Sequence, residues 1–157
     1  MTTLKILYID DHPEAALSKY LDNYKNSNCE IEYSDIEFNP DEGYESLIND
    51  PDVKSANIIF IDSKLFENRN AIAGKFTGEE FKIILRKYFP FIEVIVITQN
   101  EIAQEYETIS KYDPKCGKKP EEYYDEELPN LLEQSIRNIF EVRKIASELE
   151  KNNSWEK

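Results

Sequence analysis

The chain alternates between short apolar runs that stop abruptly at polar residues and longer stretches whose apolar residues recur at helical spacing. Residues 4 to 9, LKILYI, form one such run and end at Asp10 and Asp11, as a buried parallel strand does at the edge of its sheet. Pro13 falls where a first helical turn tolerates a missing N–H, and Ala16, Leu17, Tyr20, Leu21 and Tyr24 follow at helical spacing. Residues 30 to 38, EIEYSDIEF, place Ile31 and Tyr33, then Ile36 and Phe38, on a two-residue period with a break between the pairs, which predicts a bulged second strand. Asn39-Pro40-Asp41-Glu42 carries a capping residue and a Pro at the first helical position, so a short helix through Tyr44, Leu47 and Ile48 is expected to end near Asp50-Pro51.

Residues 57 to 62, NIIFID, are four large apolar residues and then a carboxylate, and predict a third strand closing at Asp62. A long polar loop, 63–76, separates it from Thr77, which can cap a helix with Glu80 three residues on and Phe81, Ile84, Leu85 and Tyr88 on one face. Residues 93 to 98, EVIVIT, predict a fourth strand closing at Thr98, and Asn100 can cap a helix carrying Ile102, Tyr106 and Ile109. Residues 113 to 120, DPKCGKKP, hold almost no apolar content, so a fifth strand placed there would be short. From about Asp125 to Glu150 the pattern is one long helix, with its only Pro, Pro129, in the first turn.

Strands and helices in this alternation imply an α/β fold, a doubly wound five-stranded parallel sheet with right-handed crossovers and an extended C-terminal helix. The division expected is a core over 1–127 and a long helix with its tail over 128–157. That helix would run about 38 Å at 1.5 Å per residue and overshoot a domain of this size. Leu128, Leu132, Ser135, Ile139, Val142, Ala146 and Leu149 fall on alternating four- and three-residue steps, the spacing of a coiled-coil seam, and predict a parallel homodimer. Leu131, Ile136 and Phe140 form a second face that could pack on the sheet. The alternative is one broad core-facing stripe ending in a solvated tail.

Composition narrows the class of partner. A chain of 157 residues with 40% hydrophobic and 32% charged residues can bury one core. Its net charge of -13 repels phosphate backbones and anionic lipid, so no direct nucleic acid or membrane binding is expected of this stretch. Cys29 and Cys116 lack metal-ligand spacing and are too few for a disulfide framework, which favours a reducing compartment. No apolar run reaches the roughly 18 residues of a membrane helix, and the start leads straight into a strand, so the expected location is cytoplasmic.

Ligands of open α/β sheets sit at the carboxyl ends of the strands. There the sequence gathers Asp10 and Asp11, Asp62 and Thr98. Carboxylates so placed raise one another's pKa, and a hard divalent cation with oxygen ligands relieves them; Mg²⁺ is the expected occupant. Strand-end aspartates also serve as plain helix caps. His12, beside the pair, reads as a solvated residue at a helix start.

An Asp-Asp pair after the first strand, Asp after the third, Thr after the fourth and Lys-Pro after the fifth resemble the response-regulator receiver domain, the phosphoacceptor family of two-component systems. Here the pattern is Asp10-Asp11, Asp62, Thr98 and Lys119-Pro120. The resemblance covers residues 4 to about 140 and implies the flavodoxin-like strand order 2-1-3-4-5. It also implies that Asp62 accepts a phosphoryl group from a sensor histidine kinase or phosphotransfer protein. Asp11, Asp62 and the backbone carbonyl of Lys64 would hold Mg²⁺, with Asp10 acting largely through water. Lys119 would give a fixed cation to the phosphate and Thr98 a hydrogen bond, with Lys118 the fallback for Lys119. A cis Lys119–Pro120 bond is compatible with the small trans preference of X–Pro, about 0.5–1 kcal/mol.

Two departures from the family pattern stand out. The loop after Asp62 is longer than the usual turn, and Cys116 stands three residues before Lys119, where an aromatic switch residue is common. The competing function is a phosphorylation-independent pseudo-receiver that acts as a protein–protein interaction module. A Mg²⁺-dependent phosphohydrolase would share the nucleophile, but Ser63-Lys64-Leu65 offers no second acid two residues on. The resemblance thus implies no enzyme beyond one that catalyses its own phosphorylation and dephosphorylation.

Overall fold

The computed structural model describes residues 1–39, 41–63, 65, 78–98 and 108–152. Its strands are β1 (Thr3–Asp10), β2 (Glu30–Glu37), β3 (Ile58–Asp62), β4 (Glu93–Thr98) and β5 (Thr108–Ser110), all parallel and ordered β2-β1-β3-β4-β5. This is the flavodoxin-like α/β arrangement, with the order reversing beside β1. The helices are α1 (Ala15–Asn23), α2 (Tyr44–Ile48), α3 (Pro51–Ser55), α4 (Gly78–Tyr88), α5 (Pro120–Glu127) and α6 (Pro129–Asn152).

The two-residue strand period sorts the buried side chains into two cores. Leu4, Ile6, Tyr8, Ile58, Phe60 and Ile109 meet Leu17 and Leu21 of α1, Tyr124 of α5 and Leu132, Ile136 and Ile139 of α6. On the other face Leu7, Ile9, Ile59, Ile61, Val94 and Val96 meet Leu47, Val53, Phe81 and Leu85 of α2, α3 and α4. β1, β3 and β4 are covered on both sides over Ile6–Ile9, Ile58–Ile61 and Val94–Ile97, which explains the unbroken apolar runs there.

β2 carries no bulge: its register on β1 runs without interruption from Thr3↔Glu30 to Asp10↔Glu37. The break in its pattern has another cause. Ile31 and Tyr33 pack into the first core and Ile36 and Phe38 into the second, so this edge strand buries opposite faces at its two ends. Several helix boundaries also differ from expectation. α1 begins after Pro13, with Glu14 at its N-cap. Asn39 closes a turn by accepting from the Asp41 amide, and α2 starts only after Gly43. Asp50-Pro51 opens a further helix, α3, in which Asp50 accepts from the Asp52 amide at 2.8 Å and Pro51 takes the first turn. Tyr88 of α4 is exposed, and Phe89 packs against the second core in its stead.

The largest departure follows β4. Ile109 is the buried centre of β5, not a helix residue, and residues 113–120 contain no strand; Pro114–Cys116 is a 3-10 turn ending at Gly117 in the left-handed conformation, φ 78°. Pro120 occupies the first turn of α5, where its ring is preorganised for a helix. The C-terminal helical region therefore starts earlier than Asp125 and is two helices meeting at Leu128-Pro129. No cis peptide bond occurs among the described residues, so the Lys119–Pro120 bond is trans.

α6 spans 24 residues, about 36 Å. The first half of the proposed seam, Leu128, Leu132, Ser135 and Ile139, is buried within the same chain. Residues 141–151 are exposed, so only Val142, Ala146 and Leu149 remain for a partner. Cys29 is buried and Cys116 exposed, both free thiols. Among the described residues no helix is long and apolar enough to cross a membrane. The Thr77 cap and the Asn100, Ile102 and Tyr106 positions lie outside the described residues.

Candidate functional site

The carboxyl edge of the sheet is where the alternation of the strands has its chemical consequence. Tyr8 and Asp10 share the face of β1 that carries Ile6, and the β1–β3 register gives Asp62 the same face as Ile58 and Phe60. On β5 the same face carries Ile109, and two residues on, Lys111. Backbone hydrogen bonds fix these ends: Phe38 N donates to Asp10 O at 2.9 Å, Ser63 N to Ile97 O at 2.7 Å, and Lys111 N to Thr98 O at 2.7 Å.

Asp10, Asp11 and Asp62 each contribute an oxygen to a group whose ligand atoms lie within 4.8 Å of one another, with Asp10 and Asp62 buried and Asp11 half-buried. Three carboxylates at this spacing repel strongly where water is scarce. Lys111 answers part of that charge: its Nζ donates to Asp10 Oδ2 at 2.9 Å and stands 3.9 Å from Asp62 Oδ1. The ammonium therefore bridges toward both acids but hydrogen-bonds only Asp10.

Asp10 is held by more than the lysine. The Tyr8 hydroxyl donates to Oδ2 at 2.6 Å and the His12 amide to Oδ1 at 3.0 Å. Burial would raise the Asp10 carboxyl, but the bonds from Tyr8, Lys111 and the His12 amide, with the Lys111 charge, outweigh it and hold it below its ordinary value. Burial alone would lower Lys111; its bond to Asp10 and the charges of Asp10 and Asp62 reverse that and raise it. Tyr8 is pushed up by burial and by its bond to Asp10, and so keeps its proton and remains a donor.

No family model matches the chain, and neither does any curated protein. Among solved structures it is similar to one described as a two component transcriptional regulator AraC from Clostridium phytofermentans ISDg, at 20% identity over 90% of this chain and 98% of that one, with a TM-score of 0.49. The chemistry of the site stands on its own geometry.

The structure brings Asp10, Asp11 and Asp62 together as expected from the strand ends and buries Thr98 at the end of β4. By the strand period Thr98 belongs to the set of Val94 and Val96, on the face opposite Asp62, and its carbonyl anchors Lys111. Lys64, whose carbonyl was expected to ligate the metal, lies outside the described residues. Lys119 is placed differently from expectation: it is the exposed N-cap of α5, and Lys118 pairs with Glu126. Among the described residues the lysine in the site is Lys111. Lys-Pro at 119–120 misled because Pro at a helix start produces the same dipeptide as a strand-end Lys-Pro.

A weaker signal did mark the right place. Thr108-Ile109-Ser110 is a short polar–apolar–polar run with two β-branched residues, directly followed by a cation. Three residues before Lys111 stands Thr108, so the aromatic position is still filled by a small residue. Tyr8 could have been noticed as the one hydroxyl inside an otherwise aliphatic strand core. Glu14 and Tyr124, which join it below, had no sequence signal, since their contact spans 110 positions.

Proposed function

We propose that this chain is a receiver domain whose Asp62 accepts a phosphoryl group in a Mg²⁺-dependent reaction. The observation that carries this reading is the cluster of Asp10, Asp11 and Asp62 within 4.8 Å at the carboxyl edge of the sheet, with the Lys111 ammonium 3.9 Å from Asp62. An all-oxygen, carboxylate-rich donor set fits a hard cation such as Mg²⁺. Asp11 and Asp62 would hold it, with the carbonyl of Lys64 as a third ligand. Asp10 is already engaged by Tyr8, Lys111 and the His12 amide, which suits it to an indirect role through water. When bound, Mg²⁺ would neutralise charge on the transferring group.

The residues of the chain divide the remaining work. An Asp62 oxygen attacks phosphorus, and an O–P bond forms as the N–P bond to the donor's phosphohistidine breaks. The bonding pair stays on the imidazole nitrogen. Lys111 Nζ, already near Asp62, binds a phosphate oxygen as negative charge gathers there. Thr98, at the end of β4 on the opposite face, contributes through its carbonyl, which accepts from the Lys111 amide and anchors that residue at the site. The partner is a histidine kinase or a phosphotransfer protein. The chain then works in the cytoplasm as a relay that turns over only its own phosphate.

Incubation with Mg²⁺ and acetyl phosphate should add one acid-stable, base-labile phosphoryl group, absent from Asp62→Asn. Intact-mass analysis that finds no adduct, together with a spectrum unchanged by beryllofluoride, would replace this reading with the phosphorylation-independent interaction module.

A further inference from the structure

Five hydrogen bonds near the acidic cluster close on themselves. Asp10 Oδ2 accepts from the Tyr8 hydroxyl at 2.6 Å, and that hydroxyl accepts from the Glu14 amide at 3.1 Å. Glu14 Oε2 accepts from the Tyr124 hydroxyl at 2.7 Å, which accepts from the Tyr112 amide at 3.0 Å. Tyr112 follows Lys111 in the chain, and Lys111 Nζ returns to Asp10 Oδ2 at 2.9 Å. The circuit joins the end of β1, the start of α1, the middle of α5 and the segment after β5.

We propose that Tyr8, Glu14 and Tyr124 are positioning residues of the acceptor site, which fix the Lys111 ammonium beside Asp62 by gripping it at both ends. One end is the Asp10 carboxylate, which Tyr8 orients. The other is the Lys111-Tyr112 backbone, which Tyr124 and Glu14 hold against α1. This role rests on Asp62 being a phosphoacceptor.

Three observations make the circuit a clamp and not incidental surface bonding. Tyr8 and Tyr124 have no exposed surface, so each hydroxyl must find its partners inside the protein. Each hydroxyl both donates and accepts within the circuit, using its single proton once. Tyr124 is also held by neighbouring rings, with its centroid 5.1 Å from that of Tyr123 and 6.4 Å from that of Tyr20. A lysine has a long flexible stem, and its ammonium keeps one place only if both its backbone and its counter-ion are fixed. The distance to Asp62, 3.9 Å, is then short enough for Lys111 to reach a new phosphate oxygen without leaving its anchor.

Phenylalanine at 124 or 8 removes one hydroxyl and keeps the ring. With Mg²⁺ and acetyl phosphate at saturation, Tyr124→Phe should slow Asp62 phosphorylation by roughly five- to tenfold, the scale of one lost hydrogen bond. In a Lys111→Met background the same change should have almost no effect, because the group being positioned is gone. Glu14→Gln, which retains an acceptor for Tyr124, should keep most of the wild-type rate, whereas Glu14→Ala should behave like Tyr124→Phe. A merely structural tyrosine would slow both backgrounds equally. Equal slowing in both, or wild-type rates for Tyr124→Phe and Tyr8→Phe, would overturn the clamp while leaving the acceptor reading intact. If Tyr124→Phe fails to fold, the Tyr8→Phe and Glu14 pairs decide by the same comparison. Wild type that takes up no phosphate overturns the acceptor reading, and this role with it.

Discussion

Replacing Lys111 by Met removes the cation from the acidic cluster while keeping a stem of similar length. At an effective dielectric of 20, a unit charge pair attracts by about 6 kcal/mol at the 2.9 Å of Lys111–Asp10 and by about 4 kcal/mol at the 3.9 Å of Lys111–Asp62. Desolvation takes back much of this, for the lysine side chain is 14% exposed and that of Asp10 only 1%. Breaking a buried pair by removing one partner costs about 3–5 kcal/mol. Asp10 would keep its bonds from Tyr8 and the His12 amide, so a loss at or just below the bottom of that range, about 2–3 kcal/mol, is expected here. For a chain of this size that lowers Tm by about 4–12 °C. Mg²⁺ should recover part of the loss, since the unbalanced carboxylates then have a stronger call on a cation. The same substitution at the exposed Lys119 should leave Tm and the phosphorylation rate unchanged. Thermal scans of both variants, with and without Mg²⁺, beside acetyl phosphate time courses, make the comparison. A larger loss for Lys119→Met than for Lys111→Met would refute the assignment of the site lysine.

Mg²⁺ should raise Tm of wild type by mass action, and Asp11→Ala should abolish the rise; equal shifts in the two would put the ion elsewhere. The Asp10–Lys111 pair also sets a pH window. Asp10 is depressed below 3.8, so its contribution is present above that value and is lost as pH falls through the lower folded one. Lys111 is raised above 10.5, so its contribution holds below 10.5 and is lost as pH climbs through the folded value. Asp10→Asn should flatten the acid limb of a urea-midpoint profile, and an unchanged limb would show that the pair carries no such energy. At the far end of the chain, Val142 and Leu149 are 38% and 50% exposed, so changing both to Lys should spare the fold and convert the expected homodimer to a monomer in light scattering. Leu132→Lys, at a buried position, should instead unfold the domain, and a monomeric wild type at high concentration would exclude the dimer.

Much of this architecture is written locally. The runs LKILYI, NIIFID and EVIVIT name β1, β3 and β4 because a segment buried on both faces, as at Ile6–Ile9, Ile58–Ile61 and Val94–Ile97, must be apolar. Their terminal Asp10, Asp62 and Thr98 are legible for the same reason, since a polar residue is tolerated only where the strand leaves the core. β5 is different. Three residues at the sheet margin bury one side chain, Ile109, and so small a signal is set by pairing with β4 and not by its own pattern. The register Thr98↔Ser110 decided that Lys111, and not Lys119, reaches the acids.

The same limit governs the rest. α6 carries a continuous apolar stripe whichever partner covers it, and only packing showed that Leu128, Leu132, Ser135 and Ile139 are covered by their own domain while the distal turns are exposed. The hydrogen-bonded circuit through Tyr8, Glu14 and Tyr124 closes over 110 positions of chain. Periodicity reports on neighbours within a few residues, so sequence alone determined β1 to β4 and the acidic strand ends. Tertiary structure decided which cation meets them and what holds it there, because those contacts exist only once distant segments are packed together.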